Sequence, residues 1–537
     1  MSNDMNSDAN VSTRTFRQVR EDLLARREIA LLDVREEAPH AEAHPLFAAN
    51  LPFSHLELLA YARIPRRDTA IVVLDDGEGL AQKAAARFVA LGYGDVSILD
   101  GGVKGWKAAG GELFQDVNVP SKSFGELVES KRHTPSLSAP EVKALLDAKE
   151  DVVVLDVRRF DEYQNMNIPT SISVPGAELV LRVRALAPDP KTRVIVNCAG
   201  RTRSIIGTQS LVNAGIPNQV HALRNGTIGW TLAGQKLEHG NSRQFPVDVA
   251  ADTRAQAASD ARAVADRAGV KRIDLDGLQA LCAEAGRTTY RFDVRMPQEY
   301  EAGHLPGFLS APGGQLVQET ESNATVRGAR IVLADDDGVR ANMTASWLAQ
   351  MAWEVYVLEG VATQQLSERG PAQRQLPPAP QSERITPQTL AGWLRQSDVR
   401  TVVLDFATSA NYARQHIPGS WFVLRSQLEE ALSTLPPADR YVVTCGSSLL
   451  AAYAIGDLAA LTDKPLFLLE GGDAGWKAAG LPLETGATAL ASPCIDRYRR
   501  PYEGTDNPAS AMQAYLDWEF GLVEQLGRDG THGFYVI

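Results

Sequence analysis

Cysteine is scarce in this chain: four residues in 537, Cys198, Cys282, Cys445 and Cys494. They lie far apart, with no CxxC pair and no clustering with histidine. That excludes a zinc site and a disulfide-stapled scaffold. No apolar run approaches the roughly 20 residues that a membrane-spanning helix needs. The segment Met1 to Thr15 is polar and lacks the apolar centre of a secretory signal. Positive charge is also short: 54 Lys and Arg stand against 66 Asp and Glu, a net charge of −12. A general nucleic-acid or anionic-membrane binder is thereby excluded, while a local cationic pocket is not. These absences predict a soluble protein of a reducing, cytoplasmic compartment, with no metal and no cofactor. What is present is ample apolar material, 44% of residues, and length for several domains.

One stretch carries the chemistry: Val194-Ile-Val-Asn-Cys198-Ala-Gly-Arg-Thr-Arg-Ser204. A β-branched run reads as a buried strand. A polar loop follows, and Ile205 to Ala214 then has the apolar spacing of a helix. Cys198 therefore stands where a strand stops and a helix starts. Unpaired N–H groups and a partial positive charge favour a thiolate there. Arg201 and Arg203 are expected to add to that effect. The alternative is a plain buried cysteine at a strand end.

Internal repeats set the architecture. A strand ending in Asp recurs as Leu32-Asp33-Val34-Arg35, Leu155-Asp156-Val157-Arg158, Phe292-Asp293-Val294-Arg295 and Leu404-Asp405-Phe406. A proline turn follows the last three, at Ile168-Pro169, Leu305-Pro306-Gly307 and Ile417-Pro418-Gly419. Further strands begin at Ile71, Val194, Ile331 and Tyr441, each before a polar loop and an Ala/Leu-rich helix. Each helix leads to a strand closed by a glycine turn, with Gly-Trp after it at Trp106, Trp230 and Trp476 but not in the third copy. Alternating strands and helices predict an α/β fold with a mainly parallel sheet in each copy, whose strand carboxyl ends bind ligands. The copies are placed at 12–118, 132–242, 268–370 and 385–486, with a tail at 487–537. Ser121 to Ser138 reads as a polar connection, Ala250 to Ala268 as a helix, and Arg369 to Arg384 as an extended linker. In the tail, Ala509 to Leu526 reads as one helix, and its aromatic content predicts docking onto the array.

The Asp-Val-Arg strand ends, the Glu-Tyr…His-Leu-Pro-Gly turn, the cysteine loop and the Gly-Trp close together resemble rhodanese domains, the sulfurtransferase fold. The resemblance covers nearly the whole chain and implies four tandem copies. It also implies a persulfide mechanism. A Cys198 thiolate takes the outer sulfur of thiosulfate, sulfite leaves, and the sulfur passes to cyanide or a thiol. On this reading Ala199, Gly200, Arg201, Thr202, Arg203 and Ser204 cradle the substrate, and Asp156 and Arg158 are the candidate supporting pair. Cys198 and Arg203 are separated by four residues, one fewer than in the related phosphatases, and the shorter loop suits a sulfur atom. Gly200 is third in the loop and Arg201 fourth, whereas the family often has glycine fourth.

Alignment by strands puts Asp75, Cys198, Asp335 and Cys445 at one position. Copies one and three are expected to be inactive, since aspartate cannot carry a persulfide. Cys445 keeps the sulfur but loses both cations, with Ser448 and Leu450 in place of Arg201 and Arg203. Arg340 is expected in a surface ion pair, Arg182 and Arg184 on a solvated helix face, Cys282 in the core, and Cys494 exposed. Asp156 with Arg158, Trp230, His304 and His416 also have structural readings: an ion pair, core packing and turn residues. Beside the enzyme stand two alternatives, a sulfur carrier whose inert copies recruit a protein acceptor, and a phosphatase.

Overall fold

The computed structural model describes residues 11–504 and 506–537; the Met1–Asn10 part of the polar N-terminal segment lies outside them. Four five-stranded sheets, all parallel, follow one another along the chain. In the second, the order is Ser136–Leu137, Val220–Leu223, Arg193–Asn197, Val152–Asp156, Ile172–Ser173. The other three repeat this order. The central strand of each is a run of buried aliphatics, Val194, Ile195 and Val196 in the second. Helices cover both faces, as a sheet buried on both sides requires.

The loop residue after each central strand is the position singled out by alignment. Asp75 follows Ala70–Leu74, Cys198 follows Arg193–Asn197, Asp335 follows Arg330–Ala334 and Cys445 follows Arg440–Thr444. The helix after Cys198 begins earlier than its apolar spacing indicates, spanning Thr202–Asn213.

Ser121 to Ser138 is not a mere polar connection. Val119–Arg132 is a largely buried helix, packed against Thr202–Asn213. Its Lys122 and Glu126 are buried because each meets an opposite charge. The helix between the tandem pairs spans Ala251–Arg267. The tail helix is two helices, Ala509–Phe520 and Leu522–Asp529, divided at Gly521.

Three further expectations fail, the first because two copies pack on one another. Arg340 is 2% exposed and bonds Glu178 of the second copy at 2.9 Å, together with Asp336, Asp337 and Glu299. Arg182 is buried against Glu178, and Arg184 pairs with Asp260 of the connecting helix at 2.5 Å. Neither lies on a solvated face. Cys282, placed in the core by its apolar neighbours, is exposed, as is Cys494.

Candidate active site

Cys198 sits at the end of the central strand, 1% exposed. The backbone around it is set by a turn from the next strand. Asn225 and Gly226 both have positive φ, and a Cβ on Gly226 would lie 2.3 Å from the Cys198 carbonyl oxygen. Glycine there lets the start of the Gly226–Leu232 helix approach. Thr227 N–H donates to the Cys198 carbonyl and Ile228 N–H to that of Ala199. With its carbonyls drawn outward, the loop is free to turn N–H groups inward, toward the sulfur. The same close approach recurs at Gly102 and Gly472, which explains the glycine turns in the first and fourth copies.

Asp156 and Arg158 form a buried ion pair at 2.8 Å. Asp156 also accepts from Asn197 Nδ2 at 2.9 Å, so the pair fixes the residue just before Cys198. Trp230 is fully buried, its indole N–H on the Lys236 carbonyl. His304 and His416 are buried in their turns, each stacked on the tyrosine four residues before it.

The two loop arginines have separate destinations. Arg201 turns away from the sulfur to Glu126 at 2.7 Å, to Glu129 and to Asn225, under the Phe520 ring. Arg203 makes a two-pronged pair with Glu162, both contacts 2.8 Å. Burial works to raise the Glu162 carboxyl, but Arg203 overrides it and brings the pKa down to about 2. At Cys198 burial is the largest influence and pushes the thiol up, not down as the helix start alone predicts. Arg203, the Ser204 hydroxyl at 3.4 Å and the Ser204 N–H pull the other way. Arg201, spent on two carboxylates, is not among the groups that favour the thiolate.

A roof closes the site. A cavity of about 20 Å³ is lined by the Cys198–Arg203 loop, Ser121 and Lys122, Gln318 of the third copy, and Tyr502, Tyr515 and Glu519 of the tail. That is room for one water-sized group. A polar cavity of about 350 Å³ adjoins it, sharing Arg203, Gln318 and Tyr502, with Arg159, Arg497 and Arg500 on its wall. Sequence reasoning missed the helix 119–132, Gln318 and the roof. Lys122, Glu126 and Glu129 do stand at helical spacing, the one signal that could have found that helix.

In the first and third copies the aspartate fills its own loop. Asp75 accepts from the N–H groups of Gly77 and Ala81, and Asp335 from those of Gly338 and Ala341. In the fourth, Cys445 is buried, which pushes its thiol up, and the nearby Asp405 adds to the rise.

A cysteine after a central parallel strand, in a helix-starting loop anchored by a glycine turn, defines an α/β protein with a thiol site. Comparison with known proteins makes the class particular. The Rhodanese-like domain pattern matches residues 17–109, 138–233, 276–363 and 386–479. The chain belongs to that family. A crystal structure of a thiosulfate sulfurtransferase from Pseudomonas aeruginosa is similar over 98% of this chain and all of its own, at 68% identity and a TM-score of 0.97. An HTH-type transcriptional regulator of Mycobacterium tuberculosis is 30% identical over 90 residues, 17% of this chain and 39% of that protein. No helix among the described residues is long and apolar enough to cross a membrane.

Proposed function

We propose that the chain is a sulfurtransferase of the thiosulfate type, in which Cys198 carries the transferred sulfur as a persulfide. The observation that carries the reading is the Cys198 cavity, sized for one small group and lined by Lys122, Arg201 and Arg203, of which Arg203 is the cation that favours the Cys198 thiolate. The likeness to the Pseudomonas enzyme over the whole chain supports it. Thiosulfate is the donor, and the acceptor is cyanide or a thiol, reaching Cys198 from the arginine-lined cavity beside it. Asp156 and Arg158 hold the strand end, and Ala199 to Ser204 form the cradle. The first and third copies are scaffold. The four free cysteines support a reducing, cytoplasmic setting. Intact mass after thiosulfate treatment, followed by cyanide turnover, tests this: no added sulfur would reject it.

One variation is a carrier that hands sulfur to a protein acceptor, the inert copies recruiting that partner. Persulfide loading with negligible turnover to cyanide or small thiols would select it. Hydrolysis of an aryl phosphate would instead select phosphatase chemistry, which needs more room than the short loop leaves.

Inserting one glycine between Gly200 and Arg201 should lower kcat/KM for thiosulfate by roughly two orders of magnitude, since misplaced hydrogen-bond donors cost that much. A folded insertion variant with normal turnover would show that loop length does not set the chemistry.

Cys445→Ser should retain near-full activity, and thiosulfate should add one sulfur per chain. Cys445 has no cation within its loop, and Ser448 is turned away to the Leu469 carbonyl. Peptide mapping that finds a stable sulfur on Cys445 would overturn the one-site reading.

A further inference from the structure

The roof over Cys198 contains an acid that the sulfur chemistry above does not use. Glu519 lies near the end of the Ala509–Phe520 helix and is fully buried. Its Oε1 accepts from the Tyr515 hydroxyl at 2.9 Å. Its Oε2 is buried with no hydrogen-bond partner. That oxygen lies 3.5 Å from where a Cβ on Gly200 would be, and Glu519 lines the same small cavity as Cys198. A buried carboxylate oxygen without donors is costly, whereas a carboxylic acid needs one acceptor for its O–H.

We propose that Glu519 is the hydrogen-bond donor for the persulfide on Cys198: Oε1 accepts from Tyr515, and Oε2–H points across the cavity to the outer sulfur. This rests on the sulfur-transfer reading. The groups facing Glu519 are Tyr515 and Tyr502 of the tail, and Lys122 and Glu126 of the helix 119–132. Arg201, Arg203 and Cys198 face it from the loop, and Asp116 is paired with Lys122 at 2.6 Å. Burial first, then Glu126, push the Glu519 pKa up to about 8, against the pull of Lys122, Tyr515 and Arg201. At neutral pH the acid form therefore dominates. Above that value the carboxylate repels the sulfur anion.

The atoms balance without help from Glu519 as a base. The resting Cys198 thiol loses its proton to solvent. Its thiolate then forms the bond to the outer sulfur of thiosulfate, the sulfur–sulfur bond of the donor breaks, and sulfite departs with the electron pair. The persulfide anion that remains accepts from Oε2–H, which keeps its proton throughout. The acceptor thiolate later takes the outer sulfur, and Cys198 leaves as thiolate.

The test is the rate of persulfide loading by thiosulfate, read by rapid quench and intact mass in the full-length protein, across neutral to alkaline pH. Loading alone keeps acceptor ionisation out of the profile. Cys198 ionisation raises the rate with pH in every variant, so Glu519 is read from a ratio: relative to Glu519→Gln, the wild type should lose rate above a pH near 8. Glu519→Gln keeps a donor but cannot ionise, so it should be slowed only a few-fold at neutral pH and should follow Cys198 ionisation alone at alkaline pH. Glu519→Ala should be slower by about 10- to 100-fold, the effect of losing a hydrogen bond to a charged group. A ratio of the wild-type to the Glu519→Gln rate that stays constant through pH 8 would overturn the proposal, as would a folded Glu519→Gln that fails to load. A wild type that never loads sulfur would instead sink the sulfur-transfer reading itself.

Discussion

A Cys198→Ser variant is expected to fold normally, to gain no sulfur from thiosulfate, and to lose turnover by roughly three orders of magnitude or more, the scale seen when a covalent nucleophile is removed. Folding should survive because the exchange replaces one small buried atom by another. Ser204 and its N–H stand ready to satisfy the new hydroxyl. Function should not survive, since a serine oxygen at this site has no base to deprotonate it. Among the described residues no histidine lines the cavity. Intact mass, the thiosulfate–cyanide rate and the thermal midpoint form the measurement. Retained turnover would move the nucleophile elsewhere, and a collapsed midpoint would mean that the thiol is structural.

The second large effect separates two arginines that look equivalent in the loop. Arg203→Ala should reduce kcat/KM for thiosulfate by about 10- to 100-fold, the scale of one charge-assisted hydrogen bond. It removes the cation that favours an anionic Cys198 and leaves Glu162 with only Arg158 and Arg159 as cationic neighbours. Arg201→Ala should act mainly on stability. It leaves Glu126, 4% exposed, without its partner, and breaking a buried pair costs roughly 3–5 kcal/mol. The thermal midpoint should fall by several degrees, while thiosulfate kinetics of the folded enzyme change less than in Arg203→Ala. Equal kinetic losses with unchanged midpoints would show that both cations bind the donor.

The fold was legible because the same physical requirement recurs four times. A buried strand must end, a helix must start, and a glycine turn must let the next helix close on the loop. Asp75, Cys198, Asp335 and Cys445 could be aligned from strand patterns alone because each directly follows its central strand. The partners of the loop arginines were not legible by spacing, since they come from other elements. Yet the four copies contain a comparison of their own. Where the fifth residue after the aligned position is arginine, Arg203 or Arg340, a glutamate precedes the motif tyrosine, Glu162 or Glu299. Where it is leucine, Leu80 or Leu450, the glutamate is replaced by Pro39 or Asn411. Both arginine–glutamate pairs form in the structure. The thiol's pKa was misjudged for a different reason. The strand-to-helix setting is local, but the burial that opposes it comes from the core of the second copy together with the helix 119–132, Gln318 and the tail, and docking between distant segments leaves no periodic trace.

The same roof has a consequence for the order in which the protein is made. Cys198, its loop and its glycine turn all leave the ribosome long before Tyr502, Tyr515 and Glu519 do. Until then the thiol lacks the part of its cavity wall that those three residues supply. A chain cut short after the fourth sheet would keep every loop residue yet lose Tyr502, Tyr515 and Glu519 from the cavity wall. The site is thus shared between a repeat and a segment outside every repeat: its nucleophile belongs to the second copy, while Tyr502, Tyr515 and Glu519 of its wall belong to the tail.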